Sequence, residues 1–574
     1  MRLLKAAYLV DDKAQEEAHC KGENYWWVYI AEILERLGLT ATEIIPRELS
    51  DQLAEISLLF VEDRQGTPFA HQLDAWVKAG GILVGCSPQG LDAIFGNQLV
   101  RTVSQEKGPF SLSGDFRLRP SPFTKSIACP LHPRQPLLMA SPIRLVAPLH
   151  SLELGRTKDG SVITARRCGN GWAFYFGFDL AQTFWVIQQG RPVDRDYDGD
   201  GYLRAGDGII IEDYEPEVPY TDELLFLLQN IVSVLPFPLL HQLPPFSDGS
   251  VPDALFYYGG DDEATREIDV PASKFMRSQA LPYHINIMPD KNSQFAVDVK
   301  DAQEMERNGT EISLHYNFMD NFNHPSGYTQ EDIERQTHLF VNEFGKVPVC
   351  ANMHWCRWTG WYEPALWMKK HGLKASNCKV HRKSPPLNPV NKIGFSFGTS
   401  FPFFYWSDYT YGNKRIEFLD LPIVAYECGY KNEQTDFPKL DKVISLASYY
   451  NMVMNLFYHP VYITNYPACR SAIGKLLVMI EEKNLKILHS TPDKVTEWWL
   501  NRSQGRIENV RLEKNFLDFE ASCSYPDGYI VKIPLGQKKV SYANFPYTVK
   551  KLFSQKWVFL ILPEGENKVK IEFK

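Results

Sequence analysis

Two adjacent aspartates, Asp261 and Asp262, follow a run of apolar and aromatic residues and two glycines in the sequence ALFYYGGDDEAT at positions 254–265. Successive side chains project in different directions at the end of a β-strand. One carboxylate can therefore bind a metal ion while the other faces a bound water molecule or a substrate. A helix N-cap or a loop turn is the alternative explanation for such a pair, but Gly259 and Gly260 permit close backbone approach and favour a site.

Three histidines stand at the ends of other strand-like segments. His315 ends EISLH, His354 lies near the end of VPVCANMHW with Arg357 just beyond it, and His459 ends MVMNLFYH. A single histidine in such a place more often satisfies a local hydrogen bond than takes part in catalysis. Three of them together with an aspartate pair are harder to explain by structure alone, and they indicate a shared site.

The segments that must position these residues alternate between strand and helix patterns, so the predicted fold class is α/β. Residues 253–505 contain about seven or eight βα units, which indicates a barrel with its active site at the C-terminal ends of the strands. Residues 1–240 predict a doubly wound parallel sheet covered on both faces. A Pro-rich linker (236–253) follows that sheet, and residues 506–574 predict a small antiparallel β domain.

Residues 253–505 resemble a polysaccharide deacetylase, the carbohydrate esterase type that has an incomplete βα barrel. The resemblance is carried by GGDDEAT, LHYNFMDNFNHP, NMHWCRWTGW and NLFYHP. It implies that Asp261 is the general base and that Asp262 and His315 bind a divalent transition metal, with zinc expected. It further implies that Arg357 orients the base and that His459 is the general acid.

The third metal ligand departs from the family pattern, in which a second histidine follows the first by four residues. That position is Met319 here, and a thioether is a poor ligand for a hard or borderline divalent ion. His324, which is followed by proline as in the family, is the first candidate to replace it. His354 is the alternative for the same position.

The mechanism implied by the resemblance is the hydrolysis of an N-acetyl or O-acetyl group on a sugar, oligosaccharide or polysaccharide. A metal would polarise the acyl carbonyl and activate water, Asp261 would accept a proton, and His459 would protonate the leaving group. A barrel that has lost catalysis and only binds carbohydrate is the alternative. A glycosidase is less favoured, because the neighbouring carboxylates of Asp261 and Asp262 do not indicate two acids across a sugar.

Residues 1–240 resemble a class I glutamine amidotransferase-like fold of the non-catalytic kind. The segments LDAWVKAGGILVG and GNGWAFYFGFDLAQTF carry this resemblance. Cys86 follows a strand where a nucleophile would lie, but VGCSPQG lacks the Gly-x-Cys-x-Gly turn and no His-x-Glu pair completes a triad. We therefore expect a passive thiol, and a homo-oligomer formed through this domain is a further expectation.

The sequence DYDGDGYLRAGD at positions 196–207 matches the calcium loop pattern D-x-D-x-D-G-x5-[DE]. The pattern predicts a structural calcium ion near the barrel mouth, and a solvated acidic turn is the alternative. Gly201 would allow the tight turn. The predicted ligands are the side chains of Asp196, Asp198, Asp200 and Asp207 and the carbonyl of Tyr202.

Composition argues against a polyanionic partner. The 574 residues carry 61 Lys and Arg against 69 Asp and Glu, a net charge of −8, so no nucleic acid partner is expected. No apolar run is long enough to span a membrane. The 10 scattered cysteines favour free thiols in a reducing compartment, so the predicted location is cytoplasmic and the predicted partner is a carbohydrate.

Overall fold

The computed structural model describes residues 2–322, 327–380 and 392–574, and it shows a mixed α/β fold with a curled half-barrel sheet. None of the described helices is both long and apolar enough to cross a membrane. The α-helices are Asp12–Cys20, Ile30–Leu37, Leu49–Gln52, Ala70–Ala79, Asp92–Phe95, Leu180–Gln189, Tyr220–Val232, Asp269–Ser278, Val299–Arg307, Gln330–Phe344, Glu363–Lys370, Pro438–Tyr450, Pro460–Asn465, Pro467–Glu482 and Pro492–Gln504.

The first large sheet has a parallel half and an antiparallel half. On the first parallel strand, Ala6 and Tyr8 join one hydrophobic core while Ala7 and Leu9 join another, so both faces of this half are covered. The antiparallel half was not predicted. The parallel strands are, in spatial order, Ala41–Ile44, Ala6–Leu9, Leu58–Glu62, Ile82–Cys86 and Gly171–Phe176. The antiparallel strands are Ser161–Cys168, Leu152–Arg156, Gly114–Leu118, Leu137–Met139, Asn97–Val103 and Ile143–Pro148.

The curled sheet is formed by parallel strands whose C-terminal ends meet at one rim. Within the described residues its two ends are antiparallel edge strands that do not pair with each other, Lys392–Ile393 and Phe403–Trp406, so the barrel is incomplete. Ile487–Ser490 also pairs with the strand Ala254–Asp261, and Tyr430–Lys431 and Gln434–Thr435 form a small hairpin. The parallel strands are, in spatial order, Ile423–Tyr426, Val453–Phe457, Ala254–Asp261, Tyr283–Ile287, Thr310–Tyr316, Cys350–Met353, Ala375–Ser376 and Arg415–Asp420.

The strand that carries the aspartate pair packs very closely on its neighbour. At Gly260 a Cβ atom would overlap the carbonyl oxygen of Tyr458, just beyond the adjacent strand. Only glycine can occupy this position without a shift of the backbone. The close approach brings Asp261 and the residues that follow it beside His459.

The last part of the chain forms two antiparallel sheets, and each sheet takes a short strand from elsewhere. The first contains Arg2–Leu3, Arg506–Glu513, Phe516–Cys523, Gly565–Phe573 and Val540–Ala543. The second contains Leu239–Leu240, Tyr529–Pro534, Gln555–Leu562 and Tyr547–Leu552. One core of buried apolar residues is continuous through all three regions. Residues 506–574 are therefore packed into the rest of the protein.

Candidate metal centre

Asp261 ends its strand, and two side-chain amides hold its buried carboxylate. Asn286 Nδ2 donates to Oδ1 at 2.9 Å, and Asn352 Nδ2 donates to Oδ2 at 3.2 Å. Asn286 lies on the next strand of the curled sheet and Asn352 lies on the third strand along. The two amides therefore fix the orientation of the Asp261 carboxylate.

A second layer of buried groups fixes Asn286 itself. Since Asn286 presents its amide nitrogen to Asp261, its Oδ1 accepts from His284 Nε2 at 3.0 Å. The other ring nitrogen of His284 lies 3.2 Å from Glu311 and 3.6 Å from Asp493. Burial by itself lowers the pKa of His284, but the neighbouring carboxylates outweigh it and raise the pKa above its ordinary value. Asp261 is thus oriented by a chain of polar side chains.

Glu263 is the residue on which the histidines converge. Its φ of 53° places it in the left-handed region, which few non-glycine residues adopt. Its carboxylate forms an ion pair with His354, and Oε1 lies 3.6 Å from His459 Nε2 and 3.9 Å from His315 Nε2. Burial by itself raises the pKa of Glu263, yet hydrogen bonds with His354 and His459 hold it well below the usual range. The sequence analysis did not single out this residue.

His315 lies on the strand Thr310–Tyr316 and is completely buried. Neither of its ring nitrogens has a hydrogen-bond partner, and Nε2 lies 3.6 Å from Asp261 Oδ2. Burial lowers the pKa of His315 below its ordinary value, although the nearby carboxylates oppose this. The neutral imidazole is the form that binds metal ions.

His354 follows the strand Cys350–Met353 and begins a single 3₁₀ turn. One ligand atom each from Glu263, His315 and His354 lie within 4.8 Å of one another. An overlapping group of Asp261, Glu263 and His459 is equally compact. Two imidazoles and a carboxylate are a donor set that suits zinc and other borderline divalent ions.

Asp262 does not belong to either compact group. Its Oδ1 accepts from the backbone N–H groups of Ala264 at 3.0 Å and Met288 at 2.7 Å, while Oδ2 is buried without a hydrogen-bond partner. Burial, together with the nearby Asp269, raises the pKa of Asp262 well above its ordinary range. The next residue, Glu263, belongs to both compact groups instead.

His459 occupies the N-cap position of the short helix that follows its strand, and the carboxylates of Glu427 and Glu263 lie beside its ring. Nδ1 lies 2.7 Å from Glu427 Oε1, and Nε2 lies 3.4 Å from the Tyr426 hydroxyl. Burial by itself lowers the pKa of His459, but hydrogen bonds with Glu263 and Glu427 outweigh it and raise the pKa to about 10. The imidazole therefore carries a proton that it can donate at neutral pH.

Arg357 is buried at the same rim. Its Nη1 lies 3.9 Å from Met319 Sδ, and its guanidinium lies 5.6 Å from the centre of the Tyr202 ring. The amides of Asn286 and Asn352 donate to Asp261, the residue that Arg357 was expected to orient. Met319 thus packs beside Arg357, while His324, the first candidate for the third ligand, lies outside the described residues.

The acidic loop at 196–207 folds around its own carboxylates. Oxygens of Asp196, Asp198 and Asp207 lie within 4.8 Å of one another. Asp196 accepts from the N–H groups of Gly199 at 2.6 Å and Gly201 at 2.7 Å, as expected for a tight turn. Of the predicted ligands, these three carboxylates are brought together.

Two other predicted ligands of this loop have different surroundings. Asp200 forms an ion pair with Arg204. The ring of Tyr202 lies 5.5 Å from that of Trp355. Asp207 also accepts from the N–H of Arg204 at 2.9 Å, so the end of the loop is tied to the same arginine.

The acidic loop also lies against the rim of the curled sheet. Val193 exchanges backbone hydrogen bonds with Gly360 at 2.8 and 2.9 Å, and Arg204 forms an isolated bridge with Arg357. The Trp358 N–H donates to the Leu203 carbonyl at 3.2 Å. Residues of the first region therefore contribute to the surface around the candidate metal centre.

Cys86 lies at the end of its strand and is completely buried. Burial, with the nearby Asp179, raises the pKa of the thiol well above its ordinary value. Because the thiolate is the reactive form of cysteine, this environment makes Cys86 a poor nucleophile.

Comparison with known proteins gives distant and partial similarity to hydrolases. No family model matches the chain, and no curated protein matches it. A solved structure of Puue allantoinase has a TM-score of 0.28 and 11% sequence identity, covering 45% of this chain and 94% of that chain. A family 4 carbohydrate esterase from Bacillus anthracis has a TM-score of 0.24 and 10% identity, covering 42% of this chain and 82% of that chain.

A third solved structure, of the GH42 beta-galactosidase Gan42B, has a TM-score of 0.24 and 15% identity. It covers 31% of this chain, and this chain spans only 27% of the length of that enzyme. The neighbours thus include carbohydrate esterases and glycoside hydrolases, at a similarity that does not single out one activity. The amidotransferase-like character of residues 1–240 stays a prediction.

Proposed function

We propose that this protein is a metal-dependent hydrolase that removes N-acetyl or O-acetyl groups from a sugar, oligosaccharide or polysaccharide. The observation that carries the proposal is the convergence of three histidines and two acids, Asp261 and Glu263, from four strand ends at one rim. Active sites of βα barrels lie at this edge. The finer resemblance of residues 253–505 to a polysaccharide deacetylase is part of the same proposal.

The residues at the rim fit a divalent metal ion. His315 is buried with two unpartnered ring nitrogens, which is costly unless a ligand satisfies one of them. Glu263 and His354 supply the other donor atoms of the compact group. These three residues would hold the ion, in place of the set Asp262, His315 and His324 that the family pattern implies.

When bound, such an ion supplies Lewis acidity toward an acyl carbonyl and toward water. Asp261 would accept the proton of the attacking water, since the amides of Asn286 and Asn352 hold its carboxylate in place at the rim. His459 Nε2 would donate its proton to the leaving amine or alcohol. The ion pair of His459 with Glu427 keeps the imidazole protonated until that step.

A carbohydrate-binding protein without catalysis is the second candidate. It is favoured by the direct ion pair between Glu263 and His354 and by the 3.6 Å approach of Glu263 to His459. These contacts form a charge network that needs no metal ion. The absence of the family's second histidine at Met319 points in the same direction.

Metal content and acetate release distinguish the two candidates. Purified protein is incubated with zinc, freed of excess ion, and analysed for bound metal and for acetate release from acetylated chitotetraose and acetylated xylotetraose. The hydrolase proposal expects about one zinc per chain and acetate release, with both lost in His315→Ala. If wild-type protein retains no zinc or cobalt and releases no acetate, the hydrolase proposal is rejected in favour of the binding protein.

We further propose that the acidic loop binds calcium through Asp196, Asp198 and Asp207. All-oxygen donor sets suit calcium, and the sequence pattern of the whole loop supports it. Calcium would hold the loop in the position from which it contacts the rim.

Other parts of the proposal rest on the sequence. They are a non-catalytic amidotransferase-like region at 1–240, a homo-oligomer formed through it, and a cytoplasmic location. All ten cysteines are free thiols, which supports a reducing compartment.

A further inference from the structure

Trp355 combines high exposure with an unfavourable backbone conformation. It is 48% exposed, and its φ of 58° and that of Cys356 at 52° both lie in the left-handed region. A non-glycine residue adopts this region only at an energetic cost. An indole that is half exposed to water buries little apolar surface. Packing against the rim therefore does not account for the backbone strain. Backbone strain of this kind is found at ligand-binding sites.

The indole has support on one side from the first region of the protein. The Tyr202 ring lies 5.5 Å from the Trp355 ring, and the Arg204 guanidinium lies 5.4 Å from it. Both residues belong to the acidic loop that bridges to the rim at Arg357. The orientation of the indole is therefore fixed by contacts rather than left to a mobile side chain.

Trp355 directly follows His354, whose imidazole pairs with Glu263. The rings of His354 and Trp355 lie 6.2 Å apart, so the exposed indole is beside the candidate metal centre. We propose that Trp355 is a stacking platform for a pyranose ring of the saccharide that binds at this centre. The inference rests on the proposed function in taking the ligand to be a saccharide, and it adds the residue that recognises the sugar ring.

The chemistry of the indole favours a ring over an acyclic ligand. The face of an aromatic ring is negative, so it attracts the C–H groups that cover one face of a pyranose. Tryptophan offers the largest such face, and it is already held in place, so little side-chain entropy is lost on binding. An acyclic acyl amide has no flat face of matching size.

Binding of unacetylated tetrasaccharides tests the platform without any reaction. Cellotetraose, xylotetraose and the tetramer of glucosamine are titrated into zinc-loaded wild-type protein by calorimetry, with N-acetylputrescine as the acyclic probe. We expect at least one tetrasaccharide to bind, and Trp355→Ala to weaken its affinity by about tenfold or more. Trp355→Phe keeps a ring and should stay within about threefold of wild type.

Two further variants control for folding and for exposure. Trp355→Asn replaces the indole by a residue that tolerates the left-handed backbone, so its expected loss of affinity comes with unchanged thermal stability. Tyr542→Ala removes an aromatic of similar exposure, 55%, from the last sheets and should leave affinity unchanged.

The platform is rejected if no tetrasaccharide binds wild-type protein or if Trp355→Ala and Trp355→Asn bind as tightly as wild type. It is also rejected if N-acetylputrescine shows the same dependence on Trp355. Failure of the hydrolase proposal gives a different result, namely sugar binding that depends on Trp355 without acetate release from acetylated substrates. The two proposals can therefore fail separately.

Discussion

The two candidate cation sites of this protein are built in opposite ways. The candidate metal centre collects imidazoles and carboxylates from the ends of several strands, between Asp261 and His459 along the chain. The acidic loop places its three carboxylates within residues 196–207, with Asp196 and Asp198 partly exposed and Asp207 buried. A contiguous loop encodes its ligands in one short pattern, whereas a rim site depends on the direction in which each strand end turns.

Separate substitutions of the neighbouring acids Glu263 and Asp262 test this comparison, and the first has the largest expected effect. Glu263→Gln should abolish zinc binding and lower acetate release by about a hundredfold or more, because it removes a ligand and the partner of His354. Asp262→Asn should retain zinc, since it keeps the acceptor for the N–H groups of Ala264 and Met288. Bound metal and acetate release are measured for both.

Circular dichroism controls for the fold of both variants. If Asp262→Asn loses zinc while Glu263→Gln retains it, the family pattern is right and the assignment made from the geometry is not.

Substitution of His459, the proposed proton donor, should distinguish proton donation from metal binding at the rim. His459→Ala should keep zinc bound but lower acetate release by about 10²–10⁴-fold, the usual contribution of a general acid. The expected signature is a loss in kcat that is smaller for substrates with better leaving groups. A parallel loss of zinc would instead assign His459 to the metal, as in the overlapping group with Asp261 and Glu263.

Loss of a hydrogen bond that orients Asp261 should lower activity less than loss of Glu263 or His459. Asn286→Ala removes the amide that donates to Oδ1 and breaks the chain to His284, so kcat should fall by about tenfold, the usual effect of a supporting shell. Asn286→Asp, which keeps the shape but adds a like charge, should lower activity further. Equal activity of Asn286→Ala and wild type over the whole pH range would refute this role.

Calcium should have the smallest effect and act on stability. Adding calcium at about a hundred times its Kd stabilises a protein that binds it in the folded state by about 2.7 kcal/mol, so Tm should rise by a few degrees. Asp207→Ala should remove the rise, while Asp527→Ala, an exposed acid in the last region, should keep it. A Tm that does not respond to calcium in wild-type protein would leave the loop as a solvated turn and end the comparison.

Much of the architecture could be predicted because the hydrophobic patterns are local. The parallel strands of the curled sheet and its rim histidines follow from apolar runs that end on polar residues, and the α/β class is confirmed. The antiparallel half of the first sheet was missed, in part because a strand such as Asn97–Val103 is mostly exposed and so lacks a buried apolar pattern. The short strands Arg2–Leu3 and Leu239–Leu240 were missed because their partners lie hundreds of residues away.

The sequence predicted that the candidate site lies at the rim of the curled sheet, but it did not predict every side chain that lies there. Glu263 was missed because its left-handed backbone turns the side chain back toward the histidines, and residue type gives no sign of that conformation. Asn286 and Asn352 were missed because an asparagine does not indicate metal binding or proton transfer by its residue type, as an acid or a histidine does. A polar residue inside an otherwise apolar parallel strand was the signal available for both.

The pairing of Arg2 with Leu512 and of Leu3 with Arg511 has a consequence for how this protein is made. On the ribosome, the earliest strand has no partner until the last seventy or so residues have emerged, and the same delay applies to Leu239–Leu240. Until then apolar surface and unpaired strand edges face solvent or a chaperone. Chains cut short before position 506 should therefore aggregate during synthesis, whatever the intrinsic stability of the barrel.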